Sequence, residues 1–373
     1  MSELQRFIKK LCPDGVVYVK IKDYFTRLKG TPITAGKMKE IARDEGKIRI
    51  FAGGKTVINA NEKDIPKANI IKVPAVLVQS RGLIDFIYYE NPFTFKNEMW
   101  AYTVENKISV KFLYYVLKNN TEFFRTSASG MGSLPQISLS VTEDFKIPFP
   151  PLEIQKEIVR ILDEYSEKNE KLIKELYAET ELRKKQYSYY RDKMLDFGDD
   201  VEWKTLEEIT VKISSGKNKE KNQEGTYPVY GSTGIIAYCE KYKYDKKQIL
   251  IARVGANAGY VHIAKEKYDV SDNTIMLDIK DTVLFKYIYY LLINMNLNKY
   301  AKGGGQPLVT AGQIKEIKIP IPPIEEQERI VKILDHFDIL YNDLTNGIST
   351  EIEARKKQYE YYRNKLLTFK EKQ

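Results

Sequence analysis

The 373-residue sequence predicts an α+β fold: two mixed α/β blocks separated by two long helices that form an antiparallel coiled coil, related by a pseudo-twofold internal repeat. Three observations lead there. Residues 147–163, IPFPPLEIQKEIVRILD, return at 319–335 as IPIPPIEEQERIVKILD, and 183–197, RKKQYSYYRDKMLDF, return at 355–369 as RKKQYEYYRNKLLTF. Both pairs stand at an offset of 172, and 25 of the 51 positions in 147–197 match their counterparts, so the chain is a duplication. Second, the net charge of +9 divides unevenly, as +8 over 1–146, −2 over 147–199, +4 over 200–318 and −1 over 319–373. Third, each repeated segment opens with Pro-x-Pro-Pro and continues with apolar residues spaced by three and four.

These divisions set the expected domains: a block at 1–146, a spacer helix at 147–199, a second block at 200–318 and a second spacer helix at 319–373. The proline run (Pro148, Pro150, Pro151 and Pro320, Pro322, Pro323) forces an extended entry and then permits a helix to start. Ile158, Leu162, Tyr165, Leu172, Tyr187, Tyr190 and Met194 form a heptad-like seam, repeated by Ile330, Leu334, Phe337, Leu344, Tyr359, Tyr362 and Leu366. A helix of about 44 residues is some 65 Å long at 1.5 Å per residue and needs a partner. The other copy is the obvious one, pairing antiparallel; two separate helical hairpins satisfy the same spacing. Gly347 marks a place for a local bend.

The two blocks read as mixed structure. Strand-like runs at 47–51, 75–78 and 248–252 alternate with Gly/Asn turn signals, and helical stretches fall at 110–118 and 285–293. Fainter similarity extends the repeat upstream: Pro135, Ile137 and Ser138 stand opposite Pro307, Val309 and Thr310, and Arg81 opposite Arg253. Residues 17–21 resemble 201–206 if one residue is inserted. A duplicated chain that keeps its neutral segments and lets its basic blocks drift is using those blocks to recognise two different things.

Apolar residues at 43% and charged residues at 30% describe a soluble globular chain, and no apolar run approaches the roughly 18 residues of a membrane span. The start lacks a signal-peptide pattern, which makes the cytoplasm the expected location. Two cysteines (Cys12, Cys239) and two histidines (His262, His336) give neither a disulfide framework nor a close metal cluster, and no acid-base constellation suggests a catalytic centre. Gly53-Gly54-Lys55-Thr56 lacks the upstream glycine of a phosphate-cradling loop, since Arg49 stands there. Asn91-Pro92-Phe93 lacks a proline of the amino-methylating loop, and Asp44-Glu45-Gly46-Lys47 reads as a solvated loop.

Features suited to DNA are more plentiful. The stretch 212–219 combines lysines for phosphates with small polar groups, and 227–234 is a Gly/Ser/Thr loop led in by aromatics. Arg81 and Arg253 follow strand-like runs and precede glycines, where an arginine can reach a guanine edge. The loops 127–132 and 302–306 permit close backbone approach. The residues expected to contact DNA are Lys55, Arg81, Lys217, Lys219, Tyr230, Ser232, Thr233, Arg253, Asn257, Lys302 and Gln306.

The paired segments Ile-Pro-x-Pro-Pro-x-Glu-x-Gln (147–155, 319–327) and Arg-Lys-Lys-Gln-Tyr-x-Tyr-Tyr-Arg (183–191, 355–363) resemble those of the specificity subunits of type I restriction-modification systems. Arg253-Val254-Gly255 and Gly304-Gly305-Gln306-Pro307 also resemble that family's recognition loops, while the first block departs from them at Gln79-Ser80-Arg81-Gly82 and Ser133-Leu134-Pro135-Gln136. The resemblance implies a split double-stranded DNA target read by one block per half, with the helix pair as a ruler. It implies two methyltransferase subunits that carry S-adenosylmethionine and flip out an adenine, and motor-nuclease subunits using ATP and magnesium. Partner contacts on the spacer helices are expected at Gln155, Arg183, Lys184 and Tyr187 and at Gln327, Arg355, Lys356 and Tyr359. A methylase-only or fused methylase-nuclease assembly, and a coiled-coil protein adaptor, remain alternatives.

Overall fold

The computed structural model describes residues 3–372 except 55, 67, 130–133, 199, 221 and 304–306. It divides into two compact units, one made of Met1–Glu175 with Thr350–Gln373 and the other of Leu176–Ser349. Both boundaries fall inside the two long helices, Leu152–Met194 and Ile324–Leu367. Each unit therefore holds one α/β block, the first part of the helix that follows it and the last part of the other helix.

In the first unit a four-stranded antiparallel sheet runs in the order Thr26–Leu28, Trp100–Thr103, Ala75–Gln79, Asp85–Tyr89. Its central strand is buried on both faces, which is why it reads as an unbroken apolar run. Val76 and Val78 pack with Phe112, Leu113 and Val116 of the helix Lys107–Asn119, whose start is capped by Asn106 accepting the Ile108 amide at 2.9 Å. Ala75 and Leu77 face the other way, onto Phe51, Phe93 and Phe95 of a smaller sheet. That sheet orders Val57–Ala60, Ile48–Phe51 and Phe93–Phe95, the first pair antiparallel and the second parallel.

The second unit repeats this plan with different side chains. Its four-stranded sheet orders Thr210–Ser215, Thr274–Ile279, Gln248–Ala252, Val261–Ala264, and the helix Phe285–Asn294 packs on it. The smaller sheet orders Gly234–Cys239, Tyr227–Gly231, Lys267–Val270, Tyr244–Asp245, again with one antiparallel and then one parallel pairing at its start. Short ladders join each block's start to its proline run: Tyr18↔Pro148 and Lys20↔Lys146 in one, Trp203↔Pro320 and Thr205↔Lys318 in the other. These registers align 18–21 with 203–206 with no inserted residue.

Aromatic stacks join the long helices within each unit. In the second unit Tyr187 stacks on Tyr341 (5.7 Å) and Tyr190 on Phe337 (5.6 Å), so numbers rise on one helix as they fall on the other and the pair is antiparallel. In the first unit Tyr165 stacks on Tyr359 at 5.6 Å and meets Tyr362 at 6.1 Å. Ser166 donates to the Tyr359 hydroxyl at 2.9 Å, while Tyr187, 172 residues before Tyr359, bonds Asp338, 172 after Ser166. The seam is thus made twice from equivalent residues. Each helix is uninterrupted, including at Gly347, so separate hairpins do not form. No helix among the described residues is long and apolar enough to cross a membrane.

Candidate nucleic-acid interface

Backbone bonds gather several of the expected DNA-contacting residues at one end of the second unit's larger sheet. Lys217 and Asn218 both donate to the Val270 carbonyl, at 3.1 and 3.0 Å. A Cβ on Gly216 would lie 2.2 Å from the Ser271 carbonyl, so only glycine lets the two segments approach this closely. Gly216 donates to Thr274 at 2.9 Å and Arg253 to Asn273 at 2.8 Å, tying both to the same turn. Val309 donates back to the Arg253 carbonyl, and Lys302 exchanges both amide bonds with Leu308. Lys217, Arg253 and Lys302 are therefore neighbours on this edge. Lys217, Lys219 and Lys302 are exposed and in no ion pair among the described residues.

The remaining positions are less uniform. Ser232 and Thr233 form the tip between Tyr227–Gly231 and Gly234–Cys239, with Thr233 exposed. Tyr230 is committed elsewhere: its ring is half-buried, edge-on to Tyr268 at 5.5 Å and stacked on His262 at 5.9 Å, so it is no free platform for a base. Asn257 is exposed in a loop that Gly259 and Asn298 pin down, the latter donating to Ala258 at 2.9 Å. Lys55 and Gln306, with Gly304 and Gly305, lie outside the described residues. His262 had no signal beyond its place in a strand. It sits between Tyr230 and Tyr260 with neither nitrogen bonded among the described residues, and burial lowers its pKa to about 4, keeping it neutral.

The first unit builds the same edge on a different alignment. Gly82 donates to Pro135 and Ile137 to Ser80, just as Gly255 donates to Pro307 and Val309 to Arg253. Gly82 and Gly255 share a left-handed backbone, with φ of 74° and 82°. The structural counterpart of Arg253 is therefore Ser80, and the pairing of Arg81 with Arg253 is off by one residue. Ser80 is buried and donates to the Glu98 carbonyl at 2.6 Å, while Arg81 is exposed. Burial works to raise the Glu98 pKa, but hydrogen bonds from Lys96 and from backbone amides hold it below the usual range.

On the long helices the repeated motifs divide into structural and exposed positions. Gln155 and Gln327 are buried, donating to the Pro150 and Pro322 carbonyls at 2.7 and 2.8 Å, and Gln327 also accepts the Leu284 amide. They serve the proline turn, which has few amide donors of its own, and are not partner-facing. Tyr187 and Tyr359 are likewise consumed by the helix seam. Arg183 and Arg355 hold Glu179 and Glu351 one turn away at 2.8 and 2.7 Å, leaving Lys184 and Lys356 exposed. Exposed apolar side chains accompany them: Tyr189 and its counterpart Tyr361 are 60% and 61% exposed.

Two further pairs went unread. Asp163 accepts Lys111 (2.7 Å) and Tyr115 (2.5 Å), and Asp335 accepts Lys286 (2.6 Å) and Tyr290 (2.7 Å), bolting each helix to its own block. Arg191 and Arg363 anchor the far ends of the helices, on Asn294 and Asn119. The identity of all four residues across the repeat was the available signal.

Residues 13–182 and 199–354 each match the family model of the type I restriction modification DNA specificity domain. The specificity subunit of the Escherichia coli type I restriction enzyme EcoprrI is 36% identical over 253 residues, 63% of this chain and 63% of that relative, so the match spans just under two thirds of its length. The Escherichia coli EcoR124I/EcoR124II specificity subunit is 36% identical over 71% of this chain and 72% of its own length. Among solved structures, a chain from work on complex assembly and conformational transition of the type I R-M system superposes with a TM-score of 0.75, at 16% identity, over 95% of this chain and 98% of that one. It shares the fold. By the match of both halves to one family model, this chain belongs to the type I restriction modification DNA specificity family and carries two copies of its domain.

Proposed function

We propose that the chain is the sequence-reading, non-catalytic subunit of a type I restriction-modification complex, each unit reading one part of a split double-stranded DNA target. The observation that carries this reading is one topology used twice with different side chains at the same sheet end: Lys217, Arg253 and Lys302 in one unit, Ser80, Arg81 and Glu98 in the other. Equal scaffolds with unequal reading edges suit unequal half-targets. The basic surplus of both blocks supplies the phosphate attraction.

On this reading the exposed faces around Lys184 and Tyr189, and around Lys356 and Tyr361, receive two methyltransferase subunits that hold S-adenosylmethionine and methylate adenine. Motor-nuclease subunits with ATP and magnesium join for cleavage, and a DNA target puts the assembly in the cytoplasm. The test is selection from randomised duplexes by the assembled complex of this chain with its methyltransferase. The expected result is a two-part consensus, with affinity falling linearly as log affinity against log salt. Salt-insensitive capture with no consensus contradicts the reading and favours a protein adaptor.

A further inference from the structure

The two units carry different side chains where their backbone bonds correspond. Three pairs of bonds fix the correspondence: Ile137 to Ser80 with Val309 to Arg253, the bridges Arg81↔Gln136 with Val254↔Leu308, and Ser129↔Gln136 with Lys302↔Leu308. Arg253 thus stands where the first unit has Ser80, Lys302 where it has Ser129, and Val254 where it has Arg81. Side chains alternate across a strand, so a shift of one residue reverses the face. Arg253 continues the parity of Ile249 and Ile251, which face the helix-side core, whereas Arg81 continues that of Ala75 and Leu77, which face the smaller sheet. Just beyond the ends of equivalent strands, the two arginines stand at positions of opposite parity.

They also differ in how far they are held. Arg253 is half-buried, yet its one side-chain hydrogen bond among the described residues is Nη1 to the Asp272 carbonyl at 3.5 Å, too long to hold the guanidinium firmly. No carboxylate pairs with it among the described residues. A half-buried guanidinium with unspent donors, near two exposed lysines that form no ion pair among the described residues and beside the tight turn at Gly255, matches a planar double acceptor. Guanine presents one in the major groove through N7 and O6. We infer that Arg253 reads a guanine in the part of the target bound by the second unit, with Lys217 and Lys302 on flanking phosphates. Arg81 is not its counterpart and serves the phosphate backbone. This rests on the DNA-reading function proposed above.

The test repeats the duplex selection with the assembled complex carrying Arg253→Ala, Arg253→Lys or Arg81→Ala. Both Arg253 variants are expected to lose the guanine at one position of one target part, with discrimination there falling about ten- to a hundredfold. The other part stays intact. Arg253→Lys keeps the charge and the salt slope, so it decides the matter if Arg253→Ala fails to fold. Arg81→Ala is expected to weaken all duplexes alike, by a few-fold, with both consensus parts unchanged. If the wild type yields a two-part consensus and Arg253→Lys leaves every base specified, the inference is overturned while the DNA-reading function stands. An Arg81→Ala variant that erases one base of the other part overturns the phosphate role given to Arg81. A wild type without any consensus overturns the function itself, and the inference with it.

Discussion

Arg363 donates its Nε hydrogen to the Asn119 side chain at 3.1 Å, joining residues 244 positions apart in the sequence. Arg191 repeats the bond with Asn294 at 2.9 Å. The last arginine of the repeated motif is therefore a clasp between a long helix and the block helix of its own unit. Each bond joins a charged donor to a neutral, partly solvated acceptor, so Arg363→Ala is expected to cost about 1 kcal/mol. Urea unfolding measures this, and an unchanged midpoint contradicts the clasp.

The aspartate bolts differ in the charge of their backup. Tyr290 bonds a second carboxylate, Asp338 (2.8 Å), as well as Asp335, whereas Tyr115 bonds Asp163 and, at the position equivalent to Asp338, the neutral Ser166 hydroxyl. Asp163→Asn is accordingly expected to cost about 2 kcal/mol and Asp335→Asn about 1 kcal/mol. Equal losses in chemical unfolding show that Asp338 gives no support.

Two glycines should respond in opposite directions. Gly216→Ala pushes a methyl group to within 2.3 Å of two backbone carbonyls and is expected to leave little folded protein at 37 °C. Gly347 lies in an exposed helix interior with nothing within 4 Å of the added atom, so Gly347→Ala is expected to stabilise by about 1 kcal/mol. Thermal melts of the two variants decide both points.

Acid should weaken the second unit through His262. Its folded pKa of about 4 lies below the ordinary histidine value near 6.5, so between these values the unfolded chain binds more protons. Stability contributed by the neutral ring is full above about pH 7 and is lost as pH falls toward 4, by at most about 3 kcal/mol. His262→Phe keeps the stack between Tyr230 and Tyr260 and removes this loss. Denaturant midpoints at pH 7 and pH 5 for both proteins check it; the same drop in each rejects the role.

The duplicated helices and their pairing were legible because identity at a constant offset of 172 survives only where one surface must fit another copy of itself. The buried strands Ala75–Gln79 and Gln248–Ala252 showed as apolar runs bounded by turn residues. The reading edge was not legible in the same way. At Ser80–Gly82 and Ser129 the offset is 173 while Pro135–Ile137 keep 172, so aligning Arg81 to Arg253 is off by one residue where aligning Gly82 to Gly255 gives the true register. Their place in the repeated motif makes Gln155 and Gln327 expected partner contacts, yet both are buried. What buries them is the demand of the proline-turn carbonyls for donors, which spacing does not reveal. Tyr230 leads into a Gly/Ser/Thr loop and is an expected DNA contact on that ground, whereas its ring packs against a small core with Tyr268.

The most direct test is base-resolution mapping of methylated adenine in cells carrying the partner methyltransferase, with and without this chain, and with residues 200–318 exchanged for those of a relative. A two-part motif that appears only with the chain, one part changing on exchange while the other stays, is the predicted result. Methylation independent of the chain, or both parts changing together, would contradict the claim that each unit reads its own half.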